Sequence, residues 1–97
     1  MHARVTITQL QPGKSDEAIH IFRDSVVPVA QELKGFKGAL LLTDPATGRG
    51  MSITLWETEA DLTAGEMSGV YGEQVAKFAG IIAAPPVREA YEVSVHV

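Results

Sequence analysis

The residues best suited to bind a ligand or take part in chemistry lie along one predicted strand, residues 51–56. Trp56, the only tryptophan, alternates with Ser52 and Thr54, and side chains two apart along a strand share one face. An indole beside two hydroxyl groups is suited to a small aromatic molecule, because it can stack on the rings while the hydroxyls bond their oxygens. The alternative is a tryptophan that simply packs at a strand end. The sequence leaves both interpretations open.

Two further aromatic side chains begin apolar stripes on the predicted helices. Phe22 starts a stripe at spacings of three and four residues, and Tyr71 starts another. Both are core residues by default, although Phe22 could form a pocket wall and Tyr71 could donate a hydrogen bond to a ligand. The candidate substrate-binding residues are therefore Trp56, Ser52, Thr54, Tyr71 and Phe22. No residue is identified as catalytic.

Several kinds of site lack the residues that they require. There is no cysteine, and His2, His20 and His96 do not form a metal-binding pattern, so we expect no metal. No serine lies in a Gly-x-Ser-x-Gly motif. The net charge of -4, with scattered basic residues, disfavours nucleic-acid binding. No apolar run approaches the ~20 residues of a membrane helix, so we expect no membrane partner and a cytoplasmic location.

Hydrophobic periodicity divides the chain into six elements. Alternating apolar residues predict strands, and apolar residues three and four apart predict helices. The elements are a strand at 3–10, a helix at 16–33, strands at 38–43 and 51–56, a divided helical region from 58 to 84, and a strand at 87–97. This β-α-β-β-α-β order is typical of the ferredoxin-like α+β fold, in which two helices cover one face of a four-stranded antiparallel sheet. We expect a single domain over residues 1–97.

Local signals indicate where the helices begin, bend and end. Ser15 is placed to cap the first helix, and Gly35 is placed to end it. Pro28 lies in the interior of that helix, where it removes a hydrogen bond, so we expect a kink near residues 25–27. Thr58 starts a capping-box pattern at the second helical region.

The predicted sheet carries more apolar surface than its own helices can cover. Met51, Ile53 and Leu55 lie on the face opposite Trp56. A contiguous apolar patch left in water usually marks an interface. The final strand, at about 36 Å, is also longer than most strands and could reach a second subunit. We expect a twofold homodimer with its sheets face to face; the alternative is a monomer with scattered surface apolar residues.

Short motifs follow one another along nearly the whole chain. They are Pro12-Gly13-Lys14, Asp16-Glu17, Val27-Pro28, Gly35-Phe36-Lys37-Gly38, Leu55-Trp56-Glu57 and Tyr91-Glu92-Val93. Together they resemble the antibiotic biosynthesis monooxygenase family of dimeric α/β-barrel proteins. The resemblance implies a pocket between sheet and helices, a tryptophan at the position of Trp56, and oxidation of polycyclic phenols by molecular oxygen without metal or flavin. The family's asparagine four residues before this tryptophan is Ser52 here. Its haem-degrading branch uses a histidine on the second helix, which this chain lacks.

Two classes of function follow from these observations. The first is a cofactor-independent monooxygenase of a small aromatic or phenolic substrate, whose anion passes an electron to oxygen in a water-poor pocket. The second is a non-catalytic homodimer that binds a small apolar or aromatic ligand or assists another protein. An isomerase of a small oxygenated metabolite is a third possibility. None of these functions calls for a cofactor.

Overall fold

Four strands form one antiparallel sheet, with the helices packed on one of its faces. The computed structural model describes residues 1–97. The elements are β1 (His2–Gln9), α1 (Ser15–Ile21), a π-helical segment (Phe22–Val26), α2 (Val27–Gln31), β2 (Phe36–Asp44), β3 (Arg49–Trp56), α3 (Glu59–Met67), α4 (Val70–Ala76) and β4 (Val87–Glu92). The strand order is β2-β3-β1-β4. This is the predicted ferredoxin-like α+β arrangement, and that prediction is confirmed.

Pro28 interrupts the first helix as expected, but the interruption begins earlier in the chain. The π-helical segment Phe22–Val26 precedes it, and Pro28 lies in the first turn of α2. Proline is tolerated there because the first amides of a helix need no partner within it. The prediction for Ser15 is wrong: the cap position is Lys14, and no side chain bonds the helix end. The helix also ends at Gln31, two residues before the predicted boundary.

The strand register assigns each side chain to one of two sheet faces. β1 pairs with β3 from His2↔Trp56 to Gln9↔Arg49, and β2 and β3 form the predicted hairpin. The face toward the helices, called the inner face, carries Arg4, Thr6, Thr8, Leu41, Thr43, Ser52, Thr54 and Trp56. The opposite face, called the outer face, carries Ala3, Val5, Ile7, Leu40, Leu42, Met51, Ile53, Leu55, Val87 and Tyr91, with Glu89 between the last two and Gln9, Asp44 and Arg49 at one end. The sheet is thus mainly polar toward its own helices and mainly apolar on the face away from them.

The second helical region consists of two short helices, as the sequence predicted. The Thr58 hydroxyl accepts a hydrogen bond from the Asp61 amide at 3.1 Å and so caps α3. Phe78 and Ile82 lie beyond the end of α4 and not on it, which corrects the predicted stripe. They pack instead against the buried side chains Leu10, Ala18 and Ile81. None of the helices has the length and apolar character needed to cross a membrane.

The last strand is shorter than predicted. β4 covers only Val87–Glu92, and residues 93–97 are not part of the sheet. The reason is that β4 pairs only with β1, which begins at His2 opposite Glu92. Beyond this point one backbone bond remains, from the Val93 amide to the Met1 carbonyl at 2.9 Å. The residues that follow have no neighbouring strand within the chain.

Gly35 links α2 to β2 in a backbone conformation that residues with a side chain rarely adopt. Its φ is 82°, and a Cβ atom there would overlap the Asp61 side chain. We expect Gly35→Ala to lower the free energy of unfolding by about 1–3 kcal/mol in urea titrations. Gly13→Ala is the matched control, because Gly13 has φ 78° with open space around it. Equal losses in the two variants would show that contact with Asp61 contributes nothing.

Candidate functional site

A cavity of about 100 Å³ lies between the inner face and the helices. All five residues that the sequence nominated line this cavity: Phe22, Ser52, Thr54, Trp56 and Tyr71. The structure brings them together because β3 contributes three of them from one strand face, while the two helical regions place Phe22 and Tyr71 above the same face. Trp56 therefore points toward the helices and not toward the outer face.

Trp56 forms a fixed wall of the cavity. Its side chain is buried, and its indole Nε1 donates a hydrogen bond to the Thr54 hydroxyl at 3.0 Å. The Phe36 ring meets it edge-on, with centroids 5.7 Å apart. These two contacts hold the indole in one orientation, so that it can present an apolar surface to a bound ring.

Tyr71 lies across the cavity from the sheet and is tied to it. Its hydroxyl is 2.6 Å from the Thr6 hydroxyl on β1, and either group can be the donor. One of the two hydroxyls is thus left with a proton that can be donated elsewhere. A ligand oxygen near this pair would meet a hydrogen-bond donor within an otherwise largely apolar wall.

Phe22 lies where the first helix departs from α-helical geometry. Phe22 and Val26, at the two ends of the π-helical segment, are both buried and both line the cavity. A π-helical turn widens the backbone and is frequent beside functional sites. Here it adapts the helix to Pro28 and directs two apolar side chains at the cavity.

Three charged side chains form a cluster at the edge of the cavity. The Arg4 guanidinium contacts the Glu66 carboxylate, whose other oxygen is 3.5 Å from Arg88 Nη1. Arg4 also donates a hydrogen bond to the Glu89 carbonyl at 3.1 Å. Burial lowers the pKa of Arg4, and the neighbouring Arg88 lowers it further, yet a guanidinium remains protonated at physiological pH.

The sequence alone does not reveal this cluster. The only available signal was that Arg4 alternates with Thr6 and Thr8 along β1. That pattern suggests an exposed polar face unless the strand is known to present this face to the helices. Glu66 and Arg88 come from α3 and β4, and nothing in their spacing indicates that they meet.

The chemistry open to the cavity is limited by its lining. Arg4 and Tyr71 are its only ionisable side chains, so no carboxylate or imidazole is available as a general base. No group of three His, Asp or Glu side chains is arranged to hold a metal ion. What the lining offers is a largely apolar, partly enclosed space with the Gln74 amide and hydroxyl groups from Thr6, Thr8, Thr43, Ser52, Thr54 and Tyr71. Such a lining can bind, orient and shield a small molecule.

Sequence comparison relates part of the chain to an uncharacterised protein. No protein-family model matches. The chain is 40% identical over 58 residues to an uncharacterised protein of Mycobacterium tuberculosis, found in strains CDC 1551 and H37Rv. The match covers 60% of this chain, which spans about a quarter (25%) of the relative's length.

Several solved structures share the architecture at low sequence identity. A proposed antibiotic biosynthesis monooxygenase of Bordetella bronchiseptica superposes with TM-score 0.80 at 18% identity, covering 97% of both chains. The monooxygenase ActVA-Orf6 of Streptomyces coelicolor, solved with nanaomycin D, gives 0.79 at 12% identity over 99% of this chain and 89% of its own. SnoaB of Streptomyces nogalater, a cofactor-independent oxygenase, gives 0.78 at 9%, over 99% and 95%.

These superpositions cover nearly the whole chain. Because the sequence identities are low, they show a shared architecture and not a shared activity. The sheet order and the placement of the helices on one face belong to this shared fold. This chain has the fold of the antibiotic biosynthesis monooxygenase-type proteins.

Proposed function

We propose that this chain is a cofactor-independent monooxygenase of a small aromatic or phenolic substrate. The observation that carries the proposal is the buried wall formed by Trp56 beside Ser52 and Thr54, all facing one cavity. Two structures of the same fold support it, since SnoaB is a cofactor-independent oxygenase and ActVA-Orf6 is a monooxygenase solved with nanaomycin D. The substrate ring would pack against Trp56 and Phe22.

The reaction would depend on the substrate's own electrons. An anthrone that gives up one proton to solvent becomes an anion that can pass an electron to O₂. The substrate radical and superoxide then combine at the ring carbon, and the peroxide takes up a proton to become a hydroperoxide. Loss of water from that hydroperoxide turns the CH₂ group into a carbonyl. One oxygen atom enters the product and the other leaves as water, so the reaction balances without an added reductant. Ser52 and Tyr71 would bond the substrate oxygen that carries the anionic charge.

Oxygen consumption tests the proposal directly. Folded protein is mixed with a panel of anthrones and hydroquinones, and the uptake of O₂ above the uncatalysed rate is recorded. We expect uptake with at least one anthrone, with one atom of ¹⁸O from ¹⁸O₂ in the product. Trp56→Phe is the companion variant, and its effect should fall mainly on substrate binding. An unchanged background rate with every compound would contradict an oxygenase.

One observation favours a non-catalytic binding protein as the second candidate. The cavity contains no carboxylate or imidazole that could remove the substrate's proton. A protein of this kind would hold an apolar or aromatic molecule and leave it unchanged. Native mass spectrometry of freshly purified protein separates the two candidates, because a retained metabolite that is not converted in the presence of O₂ supports binding alone.

We further propose that two copies pair through their outer faces. The accessible surface is 5894 Å², against about 5,400 Å² for a typical monomer of this mass. Leu40 is 52% exposed and Leu42 is 49% exposed, and both lie on the outer face of the edge strand β2. A second copy would cover this apolar surface, whereas the chain's own helices all lie on the other side.

The tail formed by residues 93–97 supports the same pairing. Its sequence, Val-Ser-Val-His-Val, alternates as strands do, yet no strand of its own chain is there to receive it. Val95 is 82% exposed. The outer face alone measures roughly 19 by 26 Å, about 500 Å², which is below the ~800 Å² per partner of a stable interface. Contacts between the tail and a second copy would supply part of the difference.

A further inference from the structure

The cavity is too small to hold a polycyclic substrate by itself. Its volume is about 100 Å³, whereas ligand pockets usually measure ~300–1,000 Å³. A second pocket of about 340 Å³ adjoins it and shares three wall residues, Tyr71, Val75 and Pro86. We call this the outer pocket. The outer pocket lies on the far side of these three side chains, so a ligand of ordinary size would have to pass them to reach it from the cavity.

The outer pocket differs from the cavity in its charge. Glu66 and Arg88 line it, and Arg4 lies just behind Glu66 at the cavity edge. Because one carboxylate is shared between two guanidiniums, the three side chains together carry one positive charge that nothing in the cluster neutralises. Both guanidiniums also face the Tyr71 ring, at 5.3 Å for Arg4 and 6.0 Å for Arg88.

Arg88 is the member of the cluster that a ligand can reach. Its side chain is 58% exposed, whereas that of Arg4 is 9% exposed and already engaged by Glu66 and the Glu89 carbonyl. Arg88 approaches Glu66 with Nη1 at 3.5 Å and makes no side-chain hydrogen bond, so its planar fork of N–H donors remains available. A guanidinium of this kind matches a carboxylate, which can accept two parallel hydrogen bonds.

The charge of the whole chain is opposite in sign to the charge of this cluster. The net charge is -4, so the protein as a whole does not attract anions. An anion that binds here would have to be selected by the cluster at short range.

We propose that the ligand is an aromatic carboxylic acid, with its rings in the cavity against Trp56 and its carboxylate on Arg88 in the outer pocket. This inference rests on the proposed function only in taking the cavity as the site for the aromatic rings. It adds the class of substrate, and it names Arg88 as the residue that sets specificity.

A matched pair of ligands tests the inference without requiring turnover. 2-Naphthoic acid and its neutral isostere 2-naphthamide are compared by isothermal titration calorimetry on the full chain. We expect the acid to bind about tenfold or more tightly than the amide, as a charge-assisted pair would give. Arg88→Gln should abolish this preference and leave the affinity for the amide unchanged.

Two controls keep the result specific. Arg49→Gln removes an exposed arginine that lines neither pocket and should keep the preference of the wild type. Arg88→Lys keeps the charge but loses the planar fork, so an intermediate preference is expected. Because Arg88 is more than half exposed and Glu66 keeps Arg4 as a partner, Arg88→Gln is expected to fold.

The possible results distinguish the carboxylate site, the aromatic site and the oxygenase proposal from one another. Equal affinity for acid and amide, or a preference that survives in Arg88→Gln, overturns the carboxylate site while leaving the cavity as an aromatic site. Failure of both ligands to bind overturns the aromatic site and this inference together. A clear preference for the acid, combined with no oxygen uptake, supports this inference and counts against the oxygenase.

Discussion

Replacing Trp56 with alanine is expected to lower the free energy of unfolding by about 3–5 kcal/mol. The indole is among the few buried large side chains, it stacks edge-on with Phe36, and it bonds the Thr54 hydroxyl. A domain of this length has a total stability of roughly 5–15 kcal/mol, so the variant would lie near the limit of folding. Urea titration followed by circular dichroism measures the loss.

Trp56→Phe separates the contributions of the indole. It keeps an aromatic ring but removes the Nε1–H donor and part of the apolar area, and we expect a loss of about 1–2 kcal/mol. Met67→Ala, at a side chain 84% exposed, serves as the control and should have almost no effect. A loss below about 1 kcal/mol in Trp56→Ala would contradict the description of Trp56 as a fixed wall.

The positions of the inner-face residues could be predicted because a strand has a period of two. Once Ser52, Thr54 and Trp56 are placed on β3, they must share a face, and the apolar residues between them must share the other. Which face meets the helices could not be predicted, since both faces are compatible with the alternation. The helices cover the more polar face and leave the more apolar face uncovered.

The errors at the helix and strand ends have a common physical origin. Ser15 has the right chemistry for a cap, but the helix begins one residue earlier than that role requires. The last strand was predicted from its alternation, which continues to Val97, whereas a strand ends where its neighbour ends. Alternating apolar residues show that a segment favours a strand conformation. Whether the segment joins a sheet depends on a neighbouring strand with which it can pair. The cluster of Arg4, Glu66 and Arg88 was missed for the same reason, because only tertiary structure brings it together.

Ile53→Glu is expected to convert the proposed dimer into a monomer. Ile53 lies near the centre of the outer face, where β3 pairs it with Val5 on one side and Leu40 on the other. In a dimer a carboxylate there would lose its water, at a cost of several kcal/mol per ion, and twofold symmetry would add a second one. The dissociation constant should rise at least ~10³-fold, measured as molar mass by light scattering over a dilution series.

The fold of the single chain should tolerate this change. Ile53 is only partly buried without a partner, so circular dichroism of the variant should match that of the wild type. Thr63→Glu places the same charge on the exposed side of α3 and should keep the dimeric mass. A wild-type chain that is monomeric at micromolar concentration, or an Ile53→Glu chain that keeps the mass of the wild type, would contradict the pairing.

The most direct test of the cavity as a ligand site uses the fluorescence of Trp56, which is the only tryptophan in the chain. A hydroxylated anthraquinone is titrated into the protein, and into a control with Trp56→Phe and Met67→Trp, which moves the indole to an exposed position. We predict saturable quenching at one ligand per chain in the wild type and only weak, linear quenching in the control. Linear quenching in both proteins, with folding verified by circular dichroism, would contradict a binding site beside Trp56.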